Sequence, residues 1–314
     1  MKKKILTALA LATTGFVVGE LIVHSYLDVM AVEKLPYGII KRRMNKGKDG
    51  TRPIDIYTDD NRKWVENQPV NHIDLENDRK NIVKGYLHKG DNDKVFVVFA
   101  HGYRSDHLGD PVNFQQFYHQ KGYNFLSVDH VASGDSQGNF VGFGYYESQD
   151  LHKWLNLLIS EYGEDIKIIL HGVSMGGATV CQMASSVPKQ VKMIVSDCAF
   201  TRGFDEFDNV IKSIGITKTK ALLKGFNAIN KRVAGYDFML TDVRDSVKNA
   251  TVPMLFVHGG NDDFVPTKMG YELYEICGGA KDLLIVDGAA HAESIRVDTD
   301  AYHSKLNSMI DKYL

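Results

Sequence analysis

The feature that most constrains this chain is an alternation. Short runs rich in β-branched and aromatic residues recur along it, separated by stretches of helical spacing. The runs cover residues 82–87, 94–100, 124–129, 166–170, 191–197, 252–258 and 283–286, and helix-like stretches cover 111–121, 145–162 and 175–186. Strands that alternate with helices predict a mostly parallel sheet flanked by helices, an α/β fold. The near-continuous apolar character of the runs is what strands covered on both faces require. About fifty residues separate the runs at 191–197 and 252–258, far more than an ordinary crossover. Residues 201–239 are therefore read as an inserted helical lid.

One turn in this pattern carries chemistry. The run 166–170 leads into Gly172-x-Ser174-x-Gly176, with a second glycine at Gly177. A chain that turns sharply from strand to helix holds the central residue in strained geometry, and side chains two positions away collide unless they are small. Ser174 is the candidate nucleophile; an ordinary Gly-rich turn is the plain alternative. A serine hydroxyl needs a base, and the base needs a third group to fix its tautomer. Both are present at later strand ends, in the order serine, acid, histidine. After 252–258 come Asp262 and Asp263, which spacing alone does not separate and which would also serve as helix caps. After 283–286 comes His291.

An oxyanion hole needs two backbone donors. The Met175 N–H follows the nucleophile, and the Tyr103 N–H follows Gly102 in the loop after 94–100. His101 and His258 read as structural residues of their turns. His130 is a rival base in the wrong chain order. Trp64, Trp154 and Cys198 read as packing residues.

Composition narrows the partners. With a net charge of -2 and no basic stripe interleaved with aromatics, nucleic acid is excluded as an expected partner. The three cysteines, Cys181, Cys198 and Cys277, have neither disulfide-framework nor zinc spacing, so no metal or organic cofactor is expected. At the start, Lys2, Lys3 and Lys4 precede an apolar run over 5–23. Nineteen helical residues span roughly 28 Å, close to the hydrocarbon thickness of a bilayer. Residues 1–23 are read as an uncleaved transmembrane anchor, with the N-terminus inside and the remainder outside. A cleaved signal peptide is the rival, although Ala8, Ala10 and Ala12, which mimic a cleavage site, lie within the apolar run rather than after it. Residues 24–65 read as a linker or extension, and 66–314 as the main domain, with the lid inserted.

The segments "HGY", "GVSMGG", "HGGNDDFVP" and "GAAHAES" together resemble the α/β-hydrolase superfamily, in particular its bacterial serine-esterase and serine-aminopeptidase-like branch. The resemblance covers about residues 70–314. It implies the α/β-hydrolase fold, with Ser174 as nucleophile, Asp262 rather than Asp263 as acid, His291 as base, and Tyr103 and Met175 as oxyanion donors. It also implies a membrane-anchored serine hydrolase acting on small-molecule or lipid-like carboxylic esters. The same triad would serve peptides or thioesters, and a retired scaffold that only binds is the alternative of another class. Phe204, Phe207, Val210, Ile211, Ile214, Leu222, Leu223 and Phe226 share one helical face of the lid. They either pack the lid onto the domain, the preferred reading, or line an acyl pocket.

Overall fold

The computed structural model describes residues 59–314 apart from 214, 216 and 218. The expected anchor over 1–23 and the expected linker as far as residue 58 lie outside the described residues. Among the described residues, no helix is long and apolar enough to cross a membrane.

Eight strands form one sheet in the order β1-β2-β4-β3-β5-β6-β7-β8. They are β1 (Asn71–Glu76), β2 (Ile82–His88), β3 (Asn92–Ala100), β4 (Tyr123–Asp129), β5 (Lys167–Val173), β6 (Val191–Asp197), β7 (Met254–Gly259) and β8 (Lys281–Val286). From β4 to β8 every pairing is parallel, as expected, but β2 runs antiparallel to both of its neighbours. The physical reason is two short connections: residues 89–91 reverse the chain between β2 and β3, which joins β4 in parallel, and a turn between β1 and β2 is closed by the Asn77 N–H donating to the Asn81 carbonyl at 3.0 Å. So short a connection joins only antiparallel strands. The sequence reading missed β1, whose residues NHIDLE lie on a solvated edge with no buried position.

Strand side chains alternate between two cores, as a period of two demands. Phe96, Val98 and Ala100 of β3 face one core, and Val97 and Phe99 face the other. Helices α3 (Tyr145–Tyr162) and α4 (Met175–Met183) cover the first face, with Leu151, Trp154, Leu155 and Leu158 of α3 fully buried. The second face is covered by α2 (Val112–Gln120) through Phe114 and Tyr118, and by α10 (Thr299–Tyr313) through Tyr302 and Leu306. One difference precedes the sheet: α1 (Asp59–Glu66) occupies the end of the expected linker. Its Trp64 ring lies edge-on to His119 of α2 at 5.2 Å. Among its described side chains only Val65 of α1 is buried, so its sequence carries little apolar periodicity to read.

The long connection after β6 is helical, as expected of a lid. It contains α5 (Gly203–Ser213), α6 (Thr219–Val233) and a 3₁₀ turn, Phe238–Thr241. Phe207, Phe226 and Phe238 pack edge-on or tilted against one another, and Phe207 and Phe238 also against Phe143 of the loop before α3, at centroid distances of 5.0–5.7 Å. Packing onto the domain therefore accounts for these lid residues. The remaining helices are α7 (Arg244–Lys248), α8 (Thr267–Ile276) and α9 (Ser294–Val297). All the loops discussed below leave the carboxyl ends of the strands, where the crevice of an open α/β sheet opens.

Candidate active site

Ser174 sits between β5 and α4 with φ 56° and ψ −115°, a conformation that side-chain-bearing residues rarely adopt. Its N–H donates to the Asp197 carbonyl at 2.8 Å, which ties the turn to the neighbouring strand end. The two motif glycines face each other across the elbow: a β-carbon on Gly172 would overlap the Gly176 carbonyl and lie 2.7 Å from the Gly177 nitrogen. Strain recurs around the site. Arg104, Cys198 and Ala292 also have positive φ, and each flanks or forms part of the strand-end loops that meet at Ser174.

Three side chains form a continuous hydrogen-bonded chain. The Ser174 Oγ lies 2.8 Å from His291 Nε2, and His291 Nδ1 lies 2.8 Å from Asp262 Oδ2. Because a carboxylate only accepts, Nδ1 carries the proton and Nε2 is left to accept from the serine hydroxyl. Asp262 Oδ1 accepts from the Phe264 and Val265 N–H groups at 3.0 and 2.9 Å, so the carboxylate is fixed at both oxygens. Asp263, its neighbour, is exposed. Burial alone would raise the Asp262 carboxyl, but the positive charge and hydrogen bonds offered by His291 and His258 hold it well below the usual carboxylate range. For His291, burial lowers the imidazole while Asp262 raises it, and the net result lies well above the ordinary histidine value.

The candidate oxyanion loop closes on Ser174 from β3. A β-carbon on Gly102 would lie 3.0 Å from Asp110 Oδ2 and 3.3 Å from the Ser174 β-carbon, a tight fit that glycine relieves. The Gly102 N–H donates to Asp110 at 2.6 Å, and the Ser105 N–H donates back to the Gly102 carbonyl at 3.2 Å. The Gly102 backbone is thus held beside Ser174, and Met175 is the first residue of α4. The amides at a helix start lack intrahelical acceptors and favour negative charge.

His101, His130 and His258 are engaged by backbone groups or by one another. His101 Nε2 accepts from the His130 N–H at 3.1 Å, so its Nδ1 donates to the Gly102 carbonyl at 2.7 Å. His130 is buried with its ring against that of His101 at 4.4 Å. His258 donates from Nε2 to the Val265 carbonyl at 2.9 Å and braces the Asp262 loop. Beneath the elbow, Tyr302 donates to Asp197 Oδ2 at 2.9 Å, His171 Nε2 donates to the Tyr302 hydroxyl at 3.2 Å, and Tyr118 donates to His171 Nδ1 at 3.0 Å. Burial pushes His171 down to about 3, so it stays neutral within this chain of bonds.

Two residues at the site were not singled out by the sequence reading. Cys198, read as packing, lies with its Sγ within 4.8 Å of a His291 ring nitrogen, and burial pushes its thiol up to about 12. Metal-ligand atoms of Cys198, Asp262 and His291 all lie within 4.8 Å of one another, the grouping of that kind among the described residues. Two of the three are already engaged in the hydrogen-bonded chain through Ser174. The sequence signal for Cys198 was its place at the end of β6, beside the strand that carries Asp262. The second residue is Glu206 on α5, a buried carboxyl with no signal beyond an acid within an apolar lid face.

Comparison with known proteins agrees with this architecture. Residues 91–223 match the model of the serine aminopeptidase, S33, family. The chain is 24% identical over 312 residues to the YqkD protein of Bacillus subtilis (strain 168), covering 99% of this chain and 98% of that one. An esterase of Pyrococcus furiosus, Pf2001, superposes with a TM-score of 0.65 at 21% identity, over 84% of this chain and 97% of its own. An acylaminoacyl peptidase of Pyrococcus horikoshii gives a TM-score of 0.60 at 18% identity, over 81% of this chain and 43% of its own.

Proposed function

We propose that this member of the α/β-hydrolase superfamily is a serine hydrolase that cleaves carboxylic esters through an acyl-enzyme intermediate. The observation that carries the reading is the continuous hydrogen-bonded chain from Ser174 Oγ through His291 to Asp262. His291 Nε2 takes the hydroxyl proton as Ser174 Oγ bonds to the acyl carbon, and the carbonyl electron pair moves onto oxygen beside the Tyr103 and Met175 amides. Collapse of this adduct expels the alcohol, which leaves with the proton from His291. Water then attacks the acyl-serine, gives its proton to His291, and releases the acid as the proton returns to Ser174. Neither a metal nor an organic cofactor takes part in these steps. If residues 1–23 anchor the chain, the reaction takes place at the outer face of a membrane, on small or lipid-like esters.

The state of His291 sets the pH dependence. The imidazole must be neutral to act as base, and Asp262 raises its pKa, so kcat/KM is expected to climb with pH through a midpoint above 6.5, the ordinary histidine value. Asp262→Asn removes the raising charge and leaves the effect of burial. The midpoint is then expected to fall and kcat to drop by roughly a thousand- to ten-thousandfold. A pH–rate profile of both proteins checks the direction and the size.

Acyl-chain selectivity tests the ester reading itself. Phe226 and Phe238 are buried within the lid and Phe143 is buried against them, and the Tyr103 ring lies 5.2 Å from that of Phe143, so aromatic side chains line the oxyanion loop on its lid side. Short p-nitrophenyl esters such as the butyrate are expected to be hydrolysed with a higher kcat/KM than the dodecanoate. Phe207→Ala should narrow that ratio. A folded protein that hydrolyses none of the esters would overturn the proposal in favour of a peptide, a thioester or a binding role.

A further inference from the structure

A carboxyl beneath the elbow has no part in the steps above. Asp197, the last residue of β6, is 1% exposed, and its backbone carbonyl accepts the Ser174 N–H. Its Oδ2 accepts from the Tyr302 hydroxyl at 2.9 Å, whereas Oδ1 has no hydrogen-bond partner among the described residues. A buried carboxyl left half bonded is costly, and a position that served packing alone would tolerate an amide or an apolar group instead.

Three residues hold the bonded oxygen in place. Tyr118 on α2 donates to His171 Nδ1 at 3.0 Å, and His171 on β5 donates from Nε2 to the Tyr302 hydroxyl at 3.2 Å. The Tyr302 hydroxyl accepts from His171 and so turns its own proton to Asp197, which favours the charged carboxylate over the acid.

Asp197 is also near enough to His291, His258 and Asp262 for their charges to act on it. Burial raises its carboxyl, and the Tyr302 bond and the two histidines oppose the rise, which ends at about 6, so Asp197 is mainly ionised at neutral pH. Of the other acidic groups about His291, Asp262 is charged, whereas burial pushes Glu206 up to about 8 and the Cys198 thiol up to about 12. Two negative charges, from Asp262 and Asp197, therefore act on one imidazole, whose cation forms as it takes the serine proton.

We infer that Asp197 is a positioning residue for the reaction: without touching substrate, it ties down the elbow through its carbonyl and, with its carboxylate aligned by Tyr302, stabilises the imidazolium that His291 becomes as Ser174 attacks. The inference rests on the serine-hydrolase reading and adds to it a residue outside the Ser174, His291 and Asp262 chain.

The titration midpoint of His291 tests it on the full chain. The midpoint is read from the pH–rate profile with p-nitrophenyl butyrate and, with no substrate present, from NMR titration of the His291 ring protons, assigned by their absence from His291→Ala. Asp197→Asn keeps an acceptor for Tyr302 and removes the charge. Its midpoint is expected to fall by about one pH unit and kcat on the alkaline plateau by about tenfold, with KM little changed. Tyr302→Phe deletes one oxygen and leaves the backbone alone, so it carries the test if Asp197→Asn does not fold. Loss of that bond raises the Asp197 carboxyl, and the midpoint should move in the same direction by less. A merely structural Asp197 would lower Tm in both variants and leave the midpoint at its wild-type value, and that result overturns the inference, as does a midpoint that rises. An unmoved midpoint in an active enzyme overturns the inference alone, whereas a wild type that hydrolyses no ester overturns the hydrolase reading and the inference with it.

Discussion

Ser174→Ala is expected to lower kcat for ester hydrolysis by about a millionfold while leaving the protein folded. The hydroxyl is the group that bonds to carbon, and its Oγ lies 2.8 Å from His291 Nε2, the nitrogen left to take its proton. Loss of a serine nucleophile removes the benefit of its base and acid as well, because the three act as a unit. What remains is the modest acceleration supplied by the oxyanion donors and by binding. Alanine at φ 56° carries the same β-carbon strain as serine, so the substitution adds no new backbone penalty. Circular dichroism and thermal melting should therefore match the wild type, while the p-nitrophenyl butyrate rate falls to near background.

The second large effect is on stability and comes from a glycine. Gly172→Ala would put a methyl group into the Gly176 carbonyl, with the Gly177 nitrogen 2.7 Å away. These are backbone atoms at the start of α4, which is packed between the sheet and α3, so they have no rotamer by which to move aside. Overpacking of this kind destabilises by about 3 kcal/mol. For a domain of this size that corresponds to a fall in Tm of roughly 6 to 12 °C. Activity should fall with it, because relief of the clash requires the elbow to open and Ser174 Oγ to move away from His291. A variant with unchanged Tm would mean that the elbow is less tightly closed than the geometry shows.

The residues that were legible in the sequence are those whose neighbours along the chain share their environment. The parallel strands stood out because both faces are covered, so residues 95–100 of β3 and most of β5 and β7 are apolar. The edge strand β1 was not legible, because an exposed strand has no apolar pattern to offer, and α1 was missed for the same reason. At the site, spacing left Asp262 and Asp263 undivided, and it was the resemblance to a family that chose between them. The fold separates them physically: Asp262 is turned inward to His291, and Asp263 faces solvent. Cys198 and Glu206 were illegible for another reason. Each is brought to His291 across the fold, from the end of β6 and from the lid, and nothing in their local sequence distinguishes a residue packed in a core from one packed against a histidine.

The measurement that bears most directly on the central claim is the intact mass and peptide map of the protein after exposure to a fluorophosphonate. These reagents phosphylate a serine only where a base activates it and donors stabilise the oxyanion. The account predicts one adduct per chain, located on Ser174, formed in the wild type and absent from His291→Ala. A folded wild-type protein that remains unlabelled, or one labelled at a different serine, would contradict it.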